Sequence, residues 1–233
     1  METLKLVESK IFDSRADWKA IDKEKALKNT HILDLLREAC LVEAYFGVYT
    51  GKMMQLFWND IAATSIFTIE AFEAYGHYYI LKRYLDVVGY KPVTDEEIVA
   101  LRAKDKDKTY TDPIRELVNF MGTEHFAAEF FKDIMELTDE PVLKGMLPRC
   151  IAEEINHSQF AFDLLKARLD KDPSVKASII EHARNYQHVG SYVLPWVSPA
   201  KEDNLKIIQR FNEKIERLIG ESLSDVRLEK LTT

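Results

Sequence analysis

Two pairs of glutamate and histidine residues lie inside long apolar stretches with the composition of helices. The first is Glu73 with His77, in IFTIEAFEAYGHYYIL, and the second is Glu154 with His157, in CIAEEINHSQFAFDLL. Each pair spans about one helical turn, so its two side chains project from the same face. Because ionised carboxylates are costly to bury unless they are paired or bind a metal, the chain is expected to bring these faces together.

Two further glutamates occur in similar apolar settings, Glu43 in CLVEAYF and Glu124 in FMGTEHFAAEFF. Two single glutamates and two Glu/His pairs on four helices are the ligand set of a carboxylate-bridged di-metal centre in a four-helix bundle. The predicted metal ligands are therefore Glu43, Glu73, His77, Glu124, Glu154 and His157.

On the second helix, two glutamates are candidates for the acidic ligand. Ala74 occupies the position three residues before His77, so the spacing departs from Glu-x-x-His, and Glu73 lies four residues before the histidine instead. Glu70 lies seven residues before His77 on the same stripe and competes with Glu73 for this role. Glu73 is the preferred ligand.

Other acidic residues compete on the remaining helices. Glu153 is the alternative to Glu154 and is assigned to a neighbouring, more exposed face. Glu38 is interpreted as a surface partner of Arg37, and Glu129 lies on a rotated face of its helix. The other histidines, which lack ligand-like spacing to a second donor, are His31, His125, His182 and His188. Among them, His125 and His188 could reach the site as groups that contact a ligand and not the metal.

Mixed carboxylate and imidazole ligands suit iron and manganese, whereas zinc would favour more histidine or cysteine. The expected cofactor is therefore a pair of Fe ions or a Mn/Fe pair. The net charge of −7 argues against nucleic acid as a partner. The two cysteines, Cys40 and Cys150, imply no disulfide framework. With a charged N-terminus unlike a secretory signal and no apolar run near the length of a membrane span, the chain is predicted to be cytoplasmic.

Glycine and proline are scarce, at 8 and 7 of 233 residues, and no alternating pattern is sustained, so the predicted fold class is all-α. One domain, 1–233, is expected, with a bundle core at about 31–170 and a C-terminal helical extension at 173–225. Pro148 is expected to kink the fourth long helix or to mark its start. The predicted helices cover about 15–28, 31–57, 59–88, 113–138, 140–169, 173–192 and 202–220, and the second long helix ends at Gly89.

The chain resembles the ferritin-like di-iron carboxylate superfamily, and within it most resembles the soluble fatty acyl-ACP desaturases. The resemblance covers about residues 35–195 and is most specific in CIAEEINHSQFAFDLLKARLDKDP, which is similar to their fourth helix. FMGTEHFAAEFF is similar to their third helix and WNDIAATSIFTIEAFEAYGHYYILKRYL to their second. The resemblance implies a ferritin-like four-helix bundle with additional C-terminal helices, and a homodimer.

Three departures separate the chain from the desaturases. The acidic residue of the second helix is displaced, Ala127 stands where they carry a threonine, and the chain is much shorter than a plant desaturase. Related bundles also perform hydroxylation, N-oxygenation, aldehyde deformylation, ferroxidation and radical generation, and the fold does not choose among these reactions.

The functional expectation is an O2-dependent non-haem oxidoreductase, desaturase- or oxygenase-like, acting on an apolar or acyl-type small molecule. Since the chain has no flavin or iron–sulfur motif, it would need an external electron donor such as a ferredoxin or a reductase. One alternative is a ferroxidase, iron-handling or peroxide-scavenging protein, and another is a scaffold that has lost its metal. The aromatic residues proposed to line a substrate pocket are Tyr45, Phe46, Phe72, Tyr75 and Phe126.

Overall fold

The computed structural model describes residues 2–186 and 201–223, with side chains from 7 to 186 and from 205 to 223. The regular secondary structure in this part of the chain is all helical, without a strand, which confirms the predicted all-α class. The helices are α1 (Glu2–Phe12), α2 (Lys23–Leu27), α3 (Thr30–Leu56), α4 (Ile61–Val88), α5 (Asp95–Ala103), α6 (Pro113–Leu137), α7 (Pro141–Lys171), α8 (Val175–Asn185) and α9 (Lys201–Ile219), with a 3-10 turn at Asp13–Arg15.

Local side-chain chemistry sets the ends of the long helices. The Asp60 carboxylate accepts a hydrogen bond from Ala63 N at 3.0 Å and begins α4. Asp112 accepts from two backbone amides at the start of α6, and proline follows it at the first helical position. Gly89 ends α4 with a φ of 79°, a conformation that favours glycine. These ends were predicted from the same residues.

The four long helices form two antiparallel pairs. Residues 57–60 join α3 to α4 and residues 138–140 join α6 to α7, and each pair packs along its length. The longer connection through α5 separates the pairs, and α4 packs against α7 while α3 packs against α6. The interior is therefore lined by all four helices.

The apolar core is divided into two clusters along these helices. The first contains Leu36, Leu81, Phe131 and Leu147, and the second contains Met53, Phe67, Phe120 and Leu165. Six buried glutamates and histidines of the four long helices lie where the two clusters meet: Glu43, Glu70, His77, Glu124, Glu154 and His157. The core is thus interrupted by one polar layer.

The N-terminal region differs from its prediction. A helix was expected at 15–28, but the only α-helix within it is the short α2, and α1 was not predicted. The helix is broken before α2 because Trp18 donates its indole N–H to the Asp13 carbonyl at 2.8 Å, and because Asp22 has extended backbone and caps α2. Phe12, at the end of α1, packs on α4, where its ring centroid lies 5.6 Å from that of Phe72.

The second half of the chain agrees with its predicted helices in part. Pro148 lies inside α7, which runs continuously from Pro141 to Lys171, so Pro148 does not mark the start of this helix. The predicted fifth helix corresponds to α8, which is shorter, and residues 187–192 lie outside the described residues. The proline-containing segment VLPWVSP also lies outside them. Across residues 2–186 and 201–223, no helix combines the length and the apolar character needed to cross a membrane.

Candidate metal centre

Three helices contribute to the first group of potential ligands. Glu43 comes from α3, His77 from α4 and Glu154 from α7, and one ligand atom of each lies within 4.8 Å of the others. All three side chains are buried, with His77 completely enclosed. The Nδ1 atom of His77 lies 3.6 Å from Glu43 Oε2 and 3.0 Å from Glu154 Oε1.

A second group lies beside the first. It consists of Glu70 from α4, Glu124 from α6 and His157 from α7, again with ligand atoms within 4.8 Å of one another and all side chains buried. The Nδ1 atom of His157 lies 2.6 Å from Glu70 Oε2 and 3.7 Å from Glu124 Oε2. The two groups together draw on all four long helices.

The carboxylate of Glu154 connects the two groups. One of its oxygens, Oε1, lies 3.0 Å from His77 Nδ1, while Oε2 lies 3.2 Å from His157 Nδ1. A carboxylate in this position can bind one ion with each oxygen, as in the carboxylate-bridged centres of helical bundles. The arrangement is that of two adjacent sites sharing one ligand.

The structure brings five of the six predicted ligands into these groups and places Glu73 elsewhere. Glu73 Oε2 lies 2.6 Å from His157 Nε2, on the side of the ring that faces away from the carboxylate cluster. Glu70 takes the acidic position of α4 in the second group. A ligand role for Glu73 stays a prediction, but its observed contact is with the outer nitrogen of the imidazole.

Helix geometry explains why Glu70 reaches the cluster. A spacing of seven residues corresponds to almost two full turns, so Glu70 and His77 share one face of α4. On α7 the carboxylate lies one turn from the histidine, at Glu154, whereas Ala74 occupies the equivalent position on α4. The carboxylate of α4 that reaches the cluster therefore comes from Glu70, two turns before His77, because Ala74 at one turn before His77 has no carboxylate.

Glu153 contacts His77 directly, which was not expected from the sequence. It was assigned to a more exposed face, but it is only 7% exposed, and its Oε2 lies 2.7 Å from His77 Nε2. The assignment to an exposed face is therefore wrong. Burial of the Glu153 carboxylate is tolerated because the positive charges of Arg15 and Arg149 lie 3.3 Å and 2.8 Å from it. The four-residue spacing from Glu153 to His157, matching that from Glu73 to His77, is the signal that could have identified it.

Burial dominates the acid–base behaviour of three carboxyl groups in the cluster. It raises the pKa of Glu43 to about 7, and it also raises the pKa of Glu70. The pKa of Glu124 is raised well above its usual value by burial and by the nearby charges of Glu70 and Glu154. Without a bound cation these groups therefore tend to hold protons.

In Glu154 and His157, neighbouring charges and hydrogen bonds outweigh the effect of burial on the pKa. Burial would raise the pKa of Glu154, but the charge of His77 and hydrogen bonds from Glu124 and His157 outweigh it and hold the pKa below the usual range. Burial opposes protonation of His157, yet Glu70, Glu124 and Glu154 together raise its pKa well above normal. Positive charge at the centre of the cluster is thus strongly favoured.

Three buried atoms at the centre of the cluster make no hydrogen bond of good geometry with the described residues: Nδ1 of His77, Oε2 of Glu70 and Oε1 of Glu124. The first two nevertheless lie within ion-pair distance of Glu154 and His157, respectively. Buried polar atoms are rarely left in this state, and each such atom needs an explanation. Carboxylate oxygens and imidazole nitrogens converging on two points fit a pair of transition-metal ions, whose positive charge would replace the shared protons.

The competing acidic and histidine residues lie away from the cluster. Glu129 is buried against Lys132 and Arg210, and Glu38 is exposed. His125 lies with Nε2 3.1 Å from the Ile207 carbonyl, and burial lowers its pKa to about 4. His188 lies outside the described residues.

The proposed pocket aromatics mostly pack or hydrogen-bond elsewhere. Tyr45 donates its hydroxyl to Asp105 at 2.6 Å, and Tyr75 donates to Glu8. Phe72 is half exposed, while Phe46 and Phe126 belong to the apolar core. Rings beside the two imidazoles include Phe131, at a centroid distance of 6.0 Å from His77, and Phe120, at 6.5 Å from His157.

No protein-family model, curated protein or solved structure matches the chain. Function is therefore inferred from the residues of the site, and membership of the ferritin-like superfamily stays a prediction.

Proposed function

We propose that this chain is a ferritin-like four-helix protein that binds two iron ions, or a manganese and an iron ion, and catalyses the O2-dependent oxidation of an apolar or acyl-type small molecule. The observation that carries the proposal is the pair of buried Glu/His groups joined by Glu154, whose Oε1 and Oε2 lie 3.0 Å and 3.2 Å from Nδ1 of the two histidines.

In this proposal each histidine binds through Nδ1. Glu43 and His77 would hold one ion, and Glu70, Glu124 and His157 would hold the other, with Glu154 bridging the two. An iron or mixed pair, when bound, supplies one-electron redox chemistry and O2 activation. Hard carboxylate oxygens with a single imidazole for each ion favour iron or manganese over zinc.

The protein's own contribution is to position these ligands and keep water out. Both imidazoles are completely buried, and apolar clusters lie on either side of the polar layer. The rings of Phe131 and Phe120 lie against the histidines and leave little room for solvent. A low-dielectric surrounding strengthens the interaction of the carboxylates with cations.

Multiple turnover would require electrons from a partner protein, for which we propose a ferredoxin or a reductase. We also propose a homodimer and a cytoplasmic location, as the family resemblance and the sequence composition suggest. The apolar or acyl character of the substrate follows from the desaturase resemblance. A cavity of about 380 Å³ lies instead at one end of the helix pairs, against Lys28, Tyr84 and Glu140, and contains none of the cluster residues.

Iron handling is the second candidate function, and the position of Glu73 favours it. This carboxylate touches His157 Nε2 at 2.6 Å while 23% of its side chain is exposed. A partly exposed acidic group beside a buried cluster suits the exchange of ions with solvent, which a ferroxidase requires.

The deciding experiment is anaerobic loading of the metal-free chain with Fe(II), followed by metal analysis and exposure to O2. Two ions per chain and an O2-dependent change in absorption would support the proposed oxidase. Oxidation of many Fe(II) ions per chain would favour iron handling. The variant His77→Ala should lower the stoichiometry, whereas Glu129→Gln, which alters a buried carboxylate outside the cluster, should leave it unchanged. If wild type and His77→Ala bind equally little iron, the metal proposal is wrong.

A further inference from the structure

The two histidines are each contacted on their outer nitrogen by a second carboxylate from the opposite helix. Glu153 of α7 lies 2.7 Å from Nε2 of His77 on α4, and Glu73 of α4 lies 2.6 Å from Nε2 of His157 on α7. Each of these glutamates lies four residues before the histidine of its own helix. The same register on two helices thus produces a reciprocal pair of outer carboxylates.

The Glu153 carboxylate, which contacts Nε2 of His77, is held by two arginines. Arg15 lies 3.3 Å from Glu153, with only 3% of its own side chain exposed, and Arg149 lies 2.8 Å away on the next turn of α7. Arg15 is the last residue of the N-terminal 3-10 turn, so a segment remote in sequence completes this side.

Close packing fixes the position of Arg15. A Cβ at Gly76 would lie 2.9 Å from Phe12 Cε1 and 3.0 Å from Arg15 Nη1, so the N-terminal segment fits directly onto the α4 backbone. The Arg15 guanidinium also lies over the Phe12 ring, 5.1 Å from its centroid. The outer side of His77 is therefore closed to solvent by packed groups.

The carboxylate behind His157 lacks such a clamp. Within the described parts of the chain, no lysine or arginine nitrogen lies within 4 Å of the Glu73 carboxylate. Its side chain is 23% exposed, compared with 9% for Glu153. Glu73 thus joins the buried cluster to solvent, whereas Glu153 joins it to two arginines.

We infer that the two metal positions are inequivalent: the ion beside His77 is retained, and the ion beside His157 exchanges with solvent past Glu73. This inference rests on the proposed metal site and adds to it an order of loading and release. Outer partners that orient a ligating histidine typically affect metal affinity by about 10- to 100-fold. Glu153 and Glu73 are therefore positioning residues, each for a different ion.

The test uses the full chain loaded anaerobically with two equivalents of Co(II), whose release to a chelator is followed by absorption. Two release phases of equal amplitude are expected for the wild type. His157→Ala should retain one ion that is released in the slow phase, and His77→Ala should retain one that is released in the fast phase. These two variants assign each phase to a position.

The matched variants Glu73→Gln and Glu153→Gln then separate the two outer carboxylates. Glu73→Gln should change only the fast phase, and Glu153→Gln should accelerate the slow phase by about 10- to 100-fold. Arg149→Gln removes one of the two arginines that hold Glu153 and should accelerate the slow phase by a smaller factor. Because the Arg149 side chain is 59% exposed, this variant provides the test if Glu153→Gln does not fold.

A single release phase in the wild type, or an effect of both Gln variants on the same phase, would overturn the inference while leaving the two-ion proposal intact. Failure of the wild type to bind Co(II), Fe(II) or Mn(II) would instead overturn the proposed function itself.

Discussion

The Oε2 atom of Glu70 lies 2.6 Å from the Nδ1 atom of His157, although 87 residues separate them in sequence (157 − 70). This contact joins α4 to α7 and sets the second half of the candidate metal centre. The candidate acidic ligand of α4 in this group therefore lies two turns from His77, where the helix repeat returns a side chain to the same face. Glu73, closer in sequence to His77, faces the outer nitrogen of His157 instead.

The first prediction separates the roles of these two glutamates. Glu70→Ala should lower the metal content from two ions per chain to one, because it removes a carboxylate that points into the second group. Glu73→Ala should leave two ions bound under saturating metal, with weaker retention of one of them. Metal analysis after equilibrium dialysis against excess metal measures both, and loss of an ion in Glu73→Ala with full retention in Glu70→Ala would reverse the assignment.

Local signals were sufficient for much of the fold. Asp60, Asp112 and Gly89 act through hydrogen bonds or backbone preferences within a few residues, so their helix ends can be predicted from the sequence. The buried faces of the long helices follow from their apolar periodicity. Five of the six cluster residues were identified because a carboxylate in an apolar helix requires a compensating partner.

The missing parts depend on contacts between distant segments. The burial of Glu153 depends on Arg15, which lies 138 residues earlier in the sequence and contacts its carboxylate. The α1 helix has a mixed pattern, and its apolar end residue Phe12 acquires a partner only when it reaches Phe72 on α4. Tertiary packing of this kind is not encoded in local propensity, and it decides that Glu154, and not the adjacent Glu153, lies between the two histidines.

A second prediction concerns the stability of the metal-free protein. Four carboxyl groups and two imidazoles are crowded in one buried layer, where a bound cation would relieve the charge imbalance. An ion present at 1,000 times its dissociation constant should stabilise the fold by about 4 kcal/mol, which for a chain of this size corresponds to a rise in Tm of roughly 10 °C. Differential scanning calorimetry with and without Mn(II) measures this, and Glu154→Gln should reduce the rise. An unchanged Tm in the wild type would argue against a metal-binding cluster.

A third prediction follows from a buried lysine on α9. Lys214 is 8% exposed and donates a hydrogen bond to Ser158 Oγ at 2.8 Å, and burial lowers its pKa from 10.5 to about 8. Between pH 8 and 10.5 the unfolded chain therefore holds more protons on this group than the folded chain, so the contribution of Lys214 to stability rises with pH in this window. Between pH 8 and about 9.5 this contribution should rise by about 1.5 kcal/mol. Burial raises the pKa of the Cys40 thiol, which has the opposite effect on stability in the same window, so the Lys214 contribution is measured as a difference from the wild type.

Urea unfolding at these two pH values tests the Lys214 contribution. Between these pH values the stability of Lys214→Met should change by about 1.5 kcal/mol less favourably than that of the wild type, because the neutral side chain has no proton to lose. Lys144→Met, at an exposed position of α7, serves as the control and should show the same pH dependence as the wild type. Equal pH dependence in both variants would show that Lys214 remains charged in the folded protein throughout the window.

The fourth prediction uses two glycines in long helices that differ in their surroundings. A Cβ at Gly122 of α6 would lie 2.5 Å from Cζ of the Tyr186 ring, whereas a Cβ at Gly145 of α7 would meet nothing within 4 Å. Alanine is the better helix former by about 0.5–1 kcal/mol, so Gly145→Ala should stabilise the chain by up to that amount. Gly122→Ala should instead destabilise it by about 1–3 kcal/mol, because the tyrosine ring has to move.

The steric origin of this effect can be tested by removing the ring. Tyr186 stacks on Phe126 at a centroid distance of 5.9 Å and packs against Phe211 at 5.4 Å, so Gly122→Ala should also loosen the contact of α8 and α9 with α6. The double variant Gly122→Ala/Tyr186→Ala should be no less stable than Tyr186→Ala alone, since the overlap no longer exists. If Gly122→Ala destabilises both backgrounds equally in urea unfolding, the close approach of Tyr186 is not the reason that glycine is needed there.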